Sequence, residues 1–211
     1  MRQELLEKMK EFALLHNVPI LREPSTVVLT EAAHSKCPTR VLEIGTAIGY
    51  SSLLIASEMQ PHGQIISIDI DEERQKIARQ FFTQSELTVT LELLLGDANA
   101  LIGGLTGCFD FVFIDAAKGQ YVNYLKALLP HLETGAVIVA DNVLFRGWVK
   151  GGVKPPRRYR TIVKRLREYL AIVNGTDQFQ TKLYDVGDGV AVSRYLGSAQ
   201  KGAVRQGDDN E

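Results

Sequence analysis

Apolar positions along this chain recur with two periods, and the alternation between them lays out a fold. Leu5, Leu6, Met9, Phe12 and Leu15 fall at helical spacing within residues 1–15, which predicts an amphipathic helix. A weaker helical pattern covers Ser25 to His34. From residue 40 onward, short runs rich in β-branched and aromatic residues alternate with helical patterns. The strand candidates are Val41 to Gly45, Ile65 to Asp69, Val89 to Leu95, Phe109 to Asp115 and Ala136 to Asp141. Helices are predicted between them at Tyr50 to Met59, Asp71 to Phe82, Asn99 to Gly103 and Gln120 to Leu132. After a loop at Arg146 to Pro156, a helix is expected over Arg157 to Val173. Strands are then expected at Phe179 to Val186 and Val190 to Tyr195, joined by Gly187-Asp188-Gly189, a hairpin signal.

Strand and helix in regular alternation predict an α/β domain with a mostly parallel sheet, right-handed crossovers and an antiparallel pair at its end. No repeat or linker divides the chain, so residues 1–196 read as one domain. The small, polar stretch 197–211 reads as a flexible tail.

Composition narrows the class. With 211 residues, 45% hydrophobic, 23% charged and a net charge of -1, the chain resembles ordinary globular proteins. Two cysteines without CxxC spacing, and four scattered histidines, argue against a zinc site or a disulfide framework. No run approaches the roughly 20 apolar residues of a membrane span. The charged, amphipathic start lacks a signal-peptide core, so a cytoplasmic protein is expected.

The candidate chemistry sits at strand ends, where open α/β sheets place their sites. The first strand runs into Glu43-Ile44-Gly45-Thr46-Ala47-Ile48-Gly49-Tyr50-Ser51, an acid followed by a glycine-rich turn into a helix. Such a turn lets backbone approach a ligand closely. A dinucleotide fingerprint would need glycine where Ala47 stands, which disfavours a nicotinamide-dependent oxidoreductase. Asp69 ends the second strand, where a carboxylate accepts from ribose hydroxyls, whereas Asp71 suits capping of the helix that follows. Asp97 and Ala98 follow the third strand. Asp115 and Asp141-Asn142 end the fourth and fifth. Their hard oxygen donors suit Mg²⁺, although Asp and Asn also favour strand ends for turn geometry alone. Lys118 follows Asp115 by three residues and could assist deprotonation of a hydroxyl.

Charge adds one further feature. Nine cationic residues and no acid lie between Arg146 and Arg167, which leaves the remainder at -10. A solvated helix face is the usual meaning of such a run. Here it starts beside Asn142, and Trp148 and Tyr159 are interleaved with it, which fits a polyanion with unpaired bases.

The E-x-G-x-x-x-G turn, the acid after the second strand and Gly96-Asp97-Ala98 resemble the class I S-adenosylmethionine-dependent methyltransferases. That resemblance implies a Rossmann-like seven-stranded sheet with an antiparallel last strand and helices on both faces. It implies a cofactor site including Glu43, Gly45, Ser51, Asp69, Asp97, Ala98 and Asp115. FIDAAK with DN further resembles the metal-dependent O-methyltransferases of catechol and caffeoyl-coenzyme A type. By that similarity Asp115, Asp141 and Asn142 hold Mg²⁺ and Lys118 is catalytic. The strings HNVPI, LEIGTAIGYS, FIDAAKGQY, DNVLFRG, PPRRYRTIVKRLREY and VGDGVAVS resemble the bacterial tRNA 5-hydroxyuridine O-methyltransferases over about residues 16–194. This implies methylation of the wobble base to 5-methoxyuridine and a homodimer. The tRNA anticodon would then be the partner, with Arg146, Arg157, Arg158 and Arg160 as candidates for its phosphates. Turnover of a small catechol or phenylpropanoid-like acceptor is the alternative. A noncatalytic RNA-binding module would give Asp115, Asp141 and Lys118 no reason to coincide.

Overall fold

The residues Phe109–Ile114 are buried at every position, a pattern that needs cover on both faces of the strand they form. The structure, a computed structural model, describes residues 2–197; the tail predicted from Gly197 lies outside them past that residue. In chain order the helices and strands are α1 (Arg2–Leu15), α2 (Glu23–Lys36), β1 (Arg40–Ile44), α3 (Tyr50–Ala56), β2 (Gln64–Asp69), α4 (Glu72–Thr83) and β3 (Thr90–Leu95). They continue with α5 (Ala98–Leu101), β4 (Phe109–Ile114), α6 (Tyr121–Leu128), β5 (Leu132–Ala140), α7 (Arg160–Gly175), β6 (Phe179–Tyr184) and β7 (Val190–Tyr195).

Among the described residues the strands form one seven-stranded sheet in the order β3-β2-β1-β4-β5-β7-β6. The first five strands run parallel, and β7 is antiparallel to both β5 and β6. This is the Rossmann-like arrangement expected from the alternation and the resemblance. Side chains of β4 alternate between the two faces. Phe111 and Phe113 pack with α1, α2 and α3, whereas Val112 and Ile114 pack with α6 and α7. The two-residue period of a strand therefore divides the core into two layers.

Local physics shifts several predicted boundaries. The helix expected to reach Leu132 ends at Leu128 in a 3₁₀ turn, Leu129–His131, because Pro130 cannot continue the hydrogen-bond ladder. The helix expected from Arg157 starts with a 3₁₀ turn behind Pro156 and becomes α-helical at Arg160. On α1 the buried stripe is Leu5, Met9 and Ala13, while Leu15, expected on that face, is exposed. Ala13 carries the contact because Leu5, Met9 and Ala13 repeat at i, i+4 and i+8. No helix of the described residues is long and apolar enough to cross a membrane.

Candidate active site

Three central strands end side by side. The Asp115 amide donates to the Ile44 carbonyl at 2.9 Å, and the Asp141 amide donates to the Ile114 carbonyl at 3.0 Å, so the tips of β1, β4 and β5 are stitched in step. The sheet order reverses between β1 and β4, where chain connections diverge and leave a crevice beyond the strand ends.

The loop leaving β1 lines that crevice. Gly45 (φ +106) lies so close to the Asp115 carbonyl oxygen that a Cβ would collide with it. Gly49 (φ +81) caps α3, and a Cβ there would sit 3.0 Å from Ala78. Between them Ala47 also takes a left-handed conformation, at φ 44. Asp69 holds it there, its Oδ2 accepting from the Ala47 amide at 2.8 Å and its Oδ1 from the Asp71 amide at 3.0 Å. The predicted capping role of Asp71 is observed: it accepts from the Arg74 amide at 3.0 Å at the start of α4.

Glu43 lies beneath this loop and is fully buried. Ser51 donates to its Oε1 at 2.5 Å, Ser67 to its Oε2 at 2.5 Å, and Ser52 donates to Oε2 as well. Burial outweighs these three hydrogen bonds and pushes the carboxyl up to about 7. Glu43 and Ser51, predicted beside a ligand, thus bond to each other under the loop. Asp97 caps α5 and is exposed, with its Oδ1 accepting from the Asn99 amide at 2.9 Å; Ala98 is buried.

At the other side of the crevice Asp115 and Asp141 come together. Burial raises the Asp115 carboxyl, and the ammonium of Lys118, with Nζ 3.9 Å from Oδ1, holds it down. Asp141 is 4% exposed and is pushed up to about 6, first by burial and then by the negative charge of Asp115. Asn142 Nδ2 donates to Asp141 Oδ2 at 2.9 Å. Buried Tyr121 donates its hydroxyl to the Asp141 carbonyl at 2.9 Å and anchors the strand end. Among the described residues no three of His, Cys, Asp and Glu gather around one point. The candidate metal donors are two carboxylates and one amide. They fit a hard divalent cation, which would relieve the repulsion between the carboxylates and take oxygen ligands.

The chain leaving this site is strained. Asn142, Phe145 and Arg146 have φ of 56, 38 and 57, which non-glycine residues rarely adopt. The hairpin turn holds them: Val143 donates to the Gly189 carbonyl, Leu144 and Phe145 donate to the Asp188 carbonyl, and the Arg146 amide donates to Asp188 Oδ1 at 3.2 Å. Beyond lies an aromatic and cationic surface. Trp148 and Tyr159 stack with centroids 5.2 Å apart, Arg146 lies 5.6 Å from both rings, and Arg158 lies 4.6 Å from Tyr159. Arg157 and Arg160 are exposed on the same segment.

Sequence reasoning passed over several residues beside the strand ends. Ile70 directly follows Asp69 and is 77% exposed, an aliphatic side chain left open to solvent at the tip of β2. Ser25 and Tyr121 gave no signal, because their contacts with Asp141 join positions distant in the chain.

The model of the O-methyltransferase family matches residues 7–196. Caffeoyl-CoA O-methyltransferase 2 of Petunia hybrida is 32% identical over 169 residues, covering 74% of this chain and 67% of that protein. The chain thus spans about two thirds of that relative's length. Flavonoid 3',5'-methyltransferase of Vitis vinifera is 28% identical over 207 residues, covering 93% of this chain and 85% of that protein. The O-methyltransferase TomG of Streptomyces achromogenes, solved in complex with SAM, superposes with a TM-score of 0.79 at 26% identity. That match covers 92% of this chain and 90% of the other.

Proposed function

The chain belongs to the O-methyltransferase family and is an S-adenosylmethionine-dependent O-methyltransferase, and from that premise we propose that its acceptor presents two adjacent oxygens to a divalent cation, Mg²⁺. The observation that carries this reading is the meeting of Asp115, Asp141 and Asn142 on adjacent strand tips, across the crevice from the Gly45–Gly49 loop. The proposed ligands of the cation are these three residues. A divalent cation held there supplies positive charge that favours the ionised acceptor.

The chain's own groups do the rest. Asp69 accepts from the cofactor ribose, Ile70 backs the adenine, and Asp97 with Ala98 borders its edge. Gly45 lets the backbone pass close to the cofactor, while Glu43 and Ser51 support the loop from below. The Lys118 ammonium faces the acceptor oxygen and favours its ionisation by charge, the proton passing to water. The freed oxygen takes the methyl carbon, and the electrons of the broken carbon–sulfur bond stay on sulfur. Holding donor and acceptor in line removes the entropy cost of a bimolecular encounter.

What the relatives' names state they act on, caffeoyl-CoA and flavonoids, supports a small catechol or phenylpropanoid-like acceptor better than a tRNA base. We take that acceptor class as the leading one. A second reading, 5-hydroxyuridine at the tRNA wobble position with O5 and O4 as the oxygen pair, is favoured by one observation: the stacked Arg146, Trp148, Tyr159 and Arg158 surface that follows Asn142. Under it Arg157 and Arg160 also face anticodon phosphates and the enzyme works as a homodimer. Methyl transfer to a catechol and to tRNA carrying 5-hydroxyuridine, measured side by side with cofactor and Mg²⁺, separates the two. Turnover of the catechol with inert tRNA supports the first, the reverse supports the second, and turnover of neither sinks the proposal.

A further inference from the structure

Ser25 and Asp141 stand 116 positions apart in the chain, and the Ser25 hydroxyl donates to Asp141 Oδ1 at 2.9 Å with both residues buried. We infer that Ser25 is a positioning residue for divalent-cation binding, its hydroxyl fixing the rotation of the Asp141 carboxylate. The inference rests on the metal-dependent reading of the site.

Several features point this way. Ser25 lies in the first turn of α2, where its own amide is already used, donating to the Arg22 carbonyl at 3.0 Å. The neighbouring hydroxyl, that of Thr26, turns back onto its own helix and donates to the Glu23 carbonyl at 2.7 Å. Ser25 instead reaches across to the tip of β5, at a point where the hairpin turn also closes in, since a Cβ at Gly187 would meet its Oγ at 3.5 Å. Asp141 is thereby held three ways, by Ser25 at Oδ1, by Asn142 at Oδ2 and by Tyr121 at its carbonyl. Ser25 is a neutral donor, so it orients the carboxylate without cancelling the charge a cation needs. Hydrogen-bond partners behind metal ligands commonly set affinity by about 10–100-fold.

The test is Mn²⁺ binding to the full chain by calorimetry, without cofactor or acceptor, alongside thermal unfolding. Ser25→Ala is expected to weaken Mn²⁺ about 10–100-fold. Ser25→Cys, which keeps a donor at the same position but a bulkier and weaker one, is expected to fall between. Thr26→Ala controls for loosening of α2 and is expected to lower stability while leaving Mn²⁺ affinity unchanged. Ser25→Ala binding as tightly as the parent overturns the inference, as does a loss of affinity that Thr26→Ala reproduces. A parent chain with no Mn²⁺ affinity removes the metal reading itself, an outcome visible before any variant is made.

Discussion

Lys118 Nζ stands 3.9 Å from Asp115 Oδ1, joining the strand end to the 3₁₀ turn Lys118–Gln120 that follows it. The ammonium is thus held beside one carboxylate of the pair.

Lys118→Met is expected to lower kcat by about 10²–10⁴-fold, the usual worth of a proton-handling group. The KM for S-adenosylmethionine should stay unchanged, because Lys118 is not among the groups proposed to hold the cofactor. Steady-state kinetics at saturating cofactor measure both. A rise in cofactor KM with unchanged kcat would place Lys118 in the wrong role.

Glu43 makes stability depend on pH. Its folded carboxyl lies at about 7 against an ordinary 4.5, so across that interval the folded chain holds a proton that the unfolded chain has released. The resulting stabilisation is complete below 4.5 and is lost as pH rises through about 7. Its full extent is on the order of 3 kcal/mol. Glu43→Gln, neutral at every pH, should therefore gain stability relative to the parent between about pH 5 and pH 8. Denaturant titrations at both pH values give the slope, and parallel curves would contradict the account.

Gly45 and Gly147 offer a paired comparison, since both have positive φ, at +106 and +75. A side chain at Gly45 strikes the Asp115 carbonyl, whereas nothing lies within 4 Å of one at Gly147. Gly147→Ala should cost about 1–2 kcal/mol, the conformational penalty alone. For a chain of this size that is about 2–4 °C in Tm per kcal/mol. Gly45→Ala should cost clearly more and should also abolish cofactor binding. Equal shifts for the two would mean that the loop does not need its close approach to β4.

These glycines show what was legible in the sequence. The apolar runs are long and regular enough that each of the seven strands lies near its predicted place. Strand-end acids in each case follow the run that delivers them, so Asp69, Asp115 and Asp141 could be found by reading along the chain. Contacts that close between distant segments could not be found this way. Nothing near Ser25 announces Asp141, and nothing near Glu43 announces Ser67 of β2. The exposure of Leu15 was hidden for a related reason: its spacing suits the buried stripe, but α1 turns Ala13 inward instead.

Variants in the stacked surface that follows Asn142 test the two acceptor classes against each other. Trp148→Ala and Arg158→Glu should leave catechol turnover within about twofold, while any tRNA turnover should fall by about 10–100-fold, in line with about 1–3 kcal/mol per stacked base. Competition assays with both acceptors in one reaction give the ratio directly. A matching loss for both acceptors would make the surface a structural support of the site.

The most direct measurement compares a catechol with the same ring bearing a single hydroxyl, each with S-adenosylmethionine in Mg²⁺ and in a chelator. The account predicts methylation of the catechol in Mg²⁺, at least about 100-fold less with the chelator or with Asp141→Ala, and comparably slow turnover of the single hydroxyl. Equal turnover of both rings, undiminished by the chelator, would contradict it.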